Sequence, residues 1–272
     1  MSAGSDAPAN ASAAVDRPRD GLREHRSGSS IWITTAGFES AGRALGLPDP
    51  AAVARLLEPT EPLAGAAVGR AATRIEPLPG SDRRLHVRRV LHGGWLAPLW
   101  GGRIASLARV RDELRVSARL HAARAPVPEP AFAVAQRSGL LWRAALCTVH
   151  LEDTLDGIRL LRDEPARIPA AAHAAGAAVR DLHDRGVRHA DLHVGNLLVR
   201  EFADGACAAW VIDLDRARLG APLRPRRRLR ELRRLLRSLH KRVDDPSRIA
   251  AAITSFRAGY DGASTRAADG AD

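Results

Sequence analysis

Asp191, Asn196 and Asp213 stand where three hard oxygen donors could act on one phosphate-bearing substrate. They lie in His189-Ala190-Asp191-Leu192-His193-Val194-Gly195-Asn196 and, further on, in Val211-Ile212-Asp213-Leu214-Asp215. An H-x-D-x-x-x-x-N spacing holds a carboxylate beside an acceptor hydroxyl and an amide oxygen on magnesium, while a later Asp chelates the metal on the phosphates of a nucleotide. Magnesium takes carboxylate, amide and phosphate oxygens in octahedral geometry and suits nitrogen and sulfur poorly. The roles expected are Asp191 as the base that receives the hydroxyl proton, Asn196 and Asp213 as metal ligands, and His189 as support for the loop. Two other readings compete. The segment could be a solvated polar loop, or His189, Asp191 and His193 could bind zinc or iron, which leaves Asn196 and Asp213 without a task.

These groups need elements to carry them. Residues 169–185 are rich in Ala and closed by Gly186, which reads as a helix delivering the chain to the loop. Apolar runs at residues 31–34, 66–75, 85–91 and 140–151, with short candidates at 200–203 and 210–214, read as strands. Residues 103–120 show helical periodicity, with Ile104, Leu107, Val110 and Leu114 on one face. The segment Ala125-Pro126-Val127-Pro128-Glu129-Pro130 cannot continue a helix and marks a stiff connection. A strand-rich first half therefore precedes a helical second half. In that first half Gly65 and Gly69 lie in a small-residue stretch that could cover phosphates, although the spacing departs from G-x-G-x-x-G and fits a hairpin turn equally well. A phosphate-binding cation is expected from the strand that follows, as Arg88 or Arg89, with Glu113 on the next helix as its partner or else as a solvated helix charge.

The 272 residues suffice for a two-lobed unit with a sizeable core, and only 4% are aromatic, so that core must be aliphatic. Residues 1–30 are small, polar and charged, without an apolar h-region, and read as a disordered tail; residues 258–272 read as a second flexible tail. The lobes are then expected at residues 31–145 and 146–257. Cys147 and Cys207 are too few for a disulfide framework and fit a cytoplasmic location. A formal charge of +11, carried almost wholly by arginine, calls for an anionic partner.

The chain resembles the Kdo kinase and lipopolysaccharide core kinase family of protein-kinase-like phosphotransferases. The likeness rests on Val87-Arg88-Arg89-Val90-Leu91-His92-Gly93-Gly94, Arg111-Asp112-Glu113-Leu114, Pro126-Val127-Pro128-Glu129-Pro130, the loop from Leu182 to His193 with Asn196, and Ile212-Asp213-Leu214-Asp215-Arg216-Ala217-Arg218-Leu219. It implies an α+β, protein-kinase-like two-lobed fold: a small antiparallel sheet with one αC-like helix, above a larger helical lobe. It further implies ATP as donor, Mg2+ as the metal, and a hydroxyl on lipid-A-linked Kdo as acceptor. A basic helix predicted over residues 224–242, opening at Arg224 and closing at Arg242, gathers its leucines on one face with arginines flanking them. It could face an anionic membrane surface, placing the protein on the cytoplasmic side of a bacterial inner membrane, or be a plain solvated face. Low aromatic content argues against nucleic acid as partner. A kinase of proteins or other small molecules, and a catalytically weak scaffold, are the alternatives.

Overall fold

The computed structural model describes residues 21–58, 73–91 and 102–268, with side chains to residue 262. The glycine stretch with Gly65 and Gly69 lies outside the described residues, as do His92, Gly93 and Gly94.

Six antiparallel strands build the upper lobe: β1 (Leu22–Ser27), β2 (Ser30–Thr35), β3 (Thr73–Pro77), β4 (Arg84–Val90), β5 (Pro130–Ser138) and β6 (Leu141–Val149), in the order β1-β2-β5-β6-β4-β3. Both faces of this sheet are covered. Strand alternation sends Ile31, Ile33, Val90 and Leu146 to one face, against Val110 and Leu114 of helix α3 (Ala108–Ala122). It sends Trp32, Val87, Phe132 and Cys147 to the other, against α1 (Glu39–Ala44) and α2 (Pro50–Leu57).

Several expectations are corrected here. Residues 22–30 are not tail: β1 pairs with β2 along its whole length, and the His25 ring stacks on Trp32 at 4.5 Å between centroids. The upper lobe holds α1 and α2 besides the αC-like α3. The expected lobe boundary at 145/146 falls inside β6, and the chain leaves the sheet only after Val149.

Below the sheet come β7 (Leu155–Asp156), α4 (Gly157–Asp163), α5 (Ile168–Asp184), β8 (Val187–Arg188), β9 (Leu197–Glu201), β10 (Cys207–Val211), β11 (Arg218–Leu219), α6 (Pro225–Arg242) and α7 (Pro246–Ala268). Their core is aliphatic, built from Leu160, Ile168, Val179, Leu182, Val211 and Leu235 among others. The expected tail at 258–272 is corrected too. Helix α7 runs through Ala268, and Gly259 and Tyr260 are buried against α5. Small residues are what so close a helix contact requires.

Candidate active site

The loop after α5 is set by tight backbone packing. Gly186 has φ +75°, and a Cβ there would lie 2.0 Å from the Gly220 carbonyl oxygen, so only glycine lets β8 pair with β11. His189 comes next and is buried. Its Nδ1 accepts the Asp191 amide N–H at 3.1 Å, and its Nε2 lies 3.1 Å from the Ile212 carbonyl. Those two partners require a neutral ring with the proton on Nε2. Burial, the largest cause, holds its pKa below the ordinary 6.5. The ring thus ties the Asp191 loop to the segment that leads from β10 to Asp213. With both nitrogens committed, it has no lone pair for a metal, which removes the His189-Asp191-His193 cluster reading.

Asp191 presents its carboxylate to solvent, its side chain 71% exposed, with His193 Nε2 at 3.7 Å. Asn196 is buried. Its Nδ2 donates to the Asp191 carbonyl at 3.0 Å, its own carbonyl accepts the Ile212 N–H at 3.0 Å, and β9 and β10 pair from Leu197 and Val211 onward. Backbone bonds therefore bring the Asn196 and Asp213 segments side by side. Asp213 adopts φ +60°, the left-handed region that Asp tolerates better than most residues.

From above, Arg88 on β4 forms an ion pair with the buried Glu113 on α3, and its Nη1 lies 3.5 Å from Asp213 Oδ1. Burial works against the Arg88 charge, but Glu113, Asp213 and Asp215 outweigh it and raise its pKa. Burial raises the Glu113 carboxyl above its ordinary value, with Arg88 opposing. Pleat alternation turns the two neighbouring arginines to opposite faces of the sheet. Arg89 points to the other face, beside Gly102 and Arg143, and has its pKa lowered by burial first and Arg143 second. Glu113, Arg88 and Asp213 thus form a continuous charged line from α3 to the lower lobe.

The donor set fits a hard cation. Asp213 Oδ1 is buried without a hydrogen bond while the side chain as a whole is 37% exposed, so the carboxylate has one oxygen turned inward to Arg88 and an accessible side for a ligand. Asn196 commits its Nδ2 to the loop, which leaves Oδ1 as the amide atom a cation would take.

Sequence reasoning missed two supports of this geometry. Arg109, at the start of α3, makes a two-pronged pair with Asp215, two residues beyond Asp213. Arg111 on α3 donates twice to Glu24 on β1, at 3.0 and 2.9 Å. The D-L-D pattern at residues 213–215 could have signalled Asp215; nothing local signals a pairing across 87 residues.

Fold and site together define a two-lobed, kinase-like protein in which a basic residue of the upper sheet meets an acidic loop of the lower lobe. The chain belongs to the lipopolysaccharide kinase (Kdo/WaaP) family, whose model matches residues 97–260. It is 36% identical over 163 residues to a 3-deoxy-D-manno-octulosonic acid kinase of Stenotrophomonas maltophilia (strain R551-3), covering 57% of this chain and 61% of that protein. It is also 36% identical over 170 residues to the protein of the same name from Xanthomonas euvesicatoria pv. vesicatoria (strain 85-10), covering 60% and 64%. The match thus spans less than two thirds of either relative's length. Among solved structures it is similar in fold to WaaP in complex with acyl carrier protein, with a TM-score of 0.50 and 20% identity over 80% of this chain and 86% of that one.

Proposed function

We propose that the protein transfers the γ-phosphoryl group of ATP to a sugar hydroxyl, the acceptor being Kdo on the lipid-A-linked inner core of lipopolysaccharide. The observation that carries this reading is the meeting of the Arg88–Glu113 pair with Asp213, on a loop bonded to the Asp191–Asn196 segment. The names of the relatives at 36% identity support the acceptor.

In this reading Asp191, exposed at the cleft, orients the acceptor hydroxyl and takes its proton. Asn196 Oδ1 and Asp213 would hold Mg2+, which supplies charge neutralisation on the triphosphate. Arg88 contacts phosphate, and Glu113 fixes the direction of its guanidinium. His189 holds the loop and takes no part in proton transfer, since its ring is committed on both sides. Gly65 and Gly69 are proposed as part of the phosphate cover. Positioning and electrostatics supply most of the catalysis in such a transfer.

The outer side of α6 supports an anionic membrane as the place of work. Arg226, Arg227, Arg230, Arg233, Arg237 and Lys241 are exposed, and none pairs with an acid among the described residues. Leu229 and Leu236 stand exposed beside them at 48% and 40%. Each basic group near an anionic surface contributes about 1 kcal/mol. No helix of the described residues is long and apolar enough to cross a membrane, and the proposed site of action is the cytoplasmic face of the inner membrane.

The test is incubation of the purified protein with labelled ATP, Mg2+ and Kdo-lipid A beside a protein acceptor. Label on the sugar of the lipid is expected; label on the protein acceptor, or ATP left intact, would overturn the reading. Co-sedimentation with anionic and with neutral vesicles tests the α6 surface, retention by the anionic ones alone being the expected result.

A further inference from the structure

We propose that Arg234, on the inner face of α6, is a positioning residue that suspends the Asp191 loop, with Glu231 and Ser238 as its companions. This rests on the reading of Asp191 as the catalytic carboxylate.

Residues 189–193 lie between β8 and the turn at Val194 and belong to no strand or α-helix, so their backbone polar groups must find partners elsewhere. His189 Nδ1 accepts the Asp191 N–H, Asn196 donates to the Asp191 and His193 carbonyls, and the groups on either side are held by α6. Arg234 Nη1 donates to the Ala190 carbonyl at 2.7 Å and to the His189 carbonyl at 3.3 Å. The His189 N–H donates to Glu231 Oε2 at 3.2 Å, and the Val194 N–H donates to Ser238 Oγ at 3.0 Å. Positions 231, 234 and 238 are three and four residues apart, which places them on one helix face. That face therefore grips the loop on both sides of Asp191.

The platform itself is fixed. Leu235 and Leu239 are buried in the lower core, and Arg228 donates to Asp184 on α5 at 2.7 Å. Glu231 is buried, with His183 Nε2 3.4 Å from its carboxylate, and His183 Nδ1 lies 2.7 Å from the Tyr260 hydroxyl of α7. Helices α5, α6 and α7 are thus tied together directly beneath the loop.

The Asp191 carboxylate is exposed and, among the described residues, its one ion-pair partner is His193, at 3.7 Å, so its direction is set largely by the backbone that carries it. A misplacement of about 1 Å at a reacting group costs on the order of 100-fold in rate. Among the tethers Arg234 is the informative one to remove. It is only half-buried, and the carbonyls it leaves can be taken by water, whereas removing Glu231 would strand a buried N–H. The arginine that reads from sequence as one more surface charge is in this arrangement turned to the site.

The experiment compares wild type with Arg234→Ala and Arg234→Lys by amide hydrogen exchange and steady-state kinetics. In Arg234→Ala, exchange at the hydrogen-bonded amides of His189, Asp191 and Val194 is expected to rise about tenfold or more, with α5 unchanged. Turnover is expected to fall about 10- to 100-fold while KM for ATP stays within about threefold, and lysine recovers part of the loss. Unchanged exchange in the loop, or a rise in α5 in step with it, would overturn the tether. Should the wild type itself leave Kdo-lipid A unlabelled, the proposed reaction fails, and the exchange pattern still decides whether Arg234 holds the loop.

Discussion

Asp191 and Asp213 differ in what surrounds them, and their substitutions should therefore fail differently. The Asp191 side chain is 71% exposed and, among the described residues, pairs only with His193, at 3.7 Å. Asp191→Asn should reduce turnover about 10²- to 10⁴-fold, the usual range for loss of a positioned base, with an unchanged melting curve. Near-normal turnover in a folded variant would remove Asp191 from the proposed role. Asp213 carries φ +60° and faces Arg88. Asn tolerates that backbone but not the task of a charged ligand, so Asp213→Asn should raise the Mg2+ concentration needed for half-maximal ATP binding by about tenfold. Calorimetric titration of ATP at several Mg2+ levels measures this, and an unmoved midpoint would count against metal binding at Asp213. Asp191, Asn196 and Asp213 are legible because their spacing is local and the intervening turns are short. The choice of Arg88 over Arg89 was not, because both flanks of the strand are apolar enough to hide which face meets α3. Arg234 was hidden for the opposite reason: in a helix so rich in arginine, no single one stands out.

Elements fared by how much apolar surface they show. Helices α5 and α6 and strands β4, β6 and β9 carry clear periodicity and lie within a few residues of where the pattern puts them, whereas α3 begins only at Ala108 and Ile104, expected on its face, bridges to Trp142 instead. Strand β1, in contrast, is an edge strand rich in charged residues whose order comes from pairing with β2 and from Glu24–Arg111. Helix α2 did have a signal. Asp49 accepts the Ala51 and Ala52 amides and Pro50 opens the helix, a start signature followed by Val53, Leu56 and Leu57 at helical spacing. The end of helix α7, from residue 258 onward, was hidden because its small residues look like a tail, while Gly259 serves to let α5 approach. A Cβ on Gly176 would lie 2.1 Å from the Phe256 carbonyl oxygen, and one on Gly259 would lie 2.0 Å from that of His173. Gly259→Ala must push two helix backbones apart and should destabilise the protein by about 1–3 kcal/mol. A Cβ added at Gly262, in the same helix, would meet no described atom within 4 Å. Gly262→Ala should be neutral or stabilising by up to about 1 kcal/mol. Chemical denaturation of the two variants separates crowding from helix propensity, and equal effects would mean that α7 does not pack on α5 as described.

At the scale of the whole molecule, an apolar core in each lobe, the upper one holding Trp32 and Phe132, is joined to the other by charge, and this makes stability sensitive to protons. Arg88–Asp213 and Arg109–Asp215 both bridge the upper lobe to the lower. Four histidines, His25, His150, His189 and His193, have pKa values below the ordinary 6.5, in each case first because burial disfavours the charged ring. For each, the unfolded chain binds the proton more readily than the folded one. The stability they contribute is therefore complete above pH 6.5 and is lost as pH falls through the lower folded values. Carboxylates held low by arginine, such as Glu39 and Glu152, lose their contribution only below their ordinary 4.5, outside this window. Glu113 works the other way, since burial raises its pKa and acid favours its folded form, but it is one group against four. The +11 formal charge grows as the histidines protonate, and self-repulsion adds to the loss. The melting temperature should accordingly be lower at about pH 5.5 than at about pH 7.5. His189→Gln should flatten part of that slope, because one ring that must stay neutral has been removed, while retaining groups able to bond both the Asp191 amide and the Ile212 carbonyl. A wild-type melting temperature that holds steady across the window would mean that these rings are not buried in the neutral form, and with it would go the account of how His189 ties the Asp191 loop to Asp213.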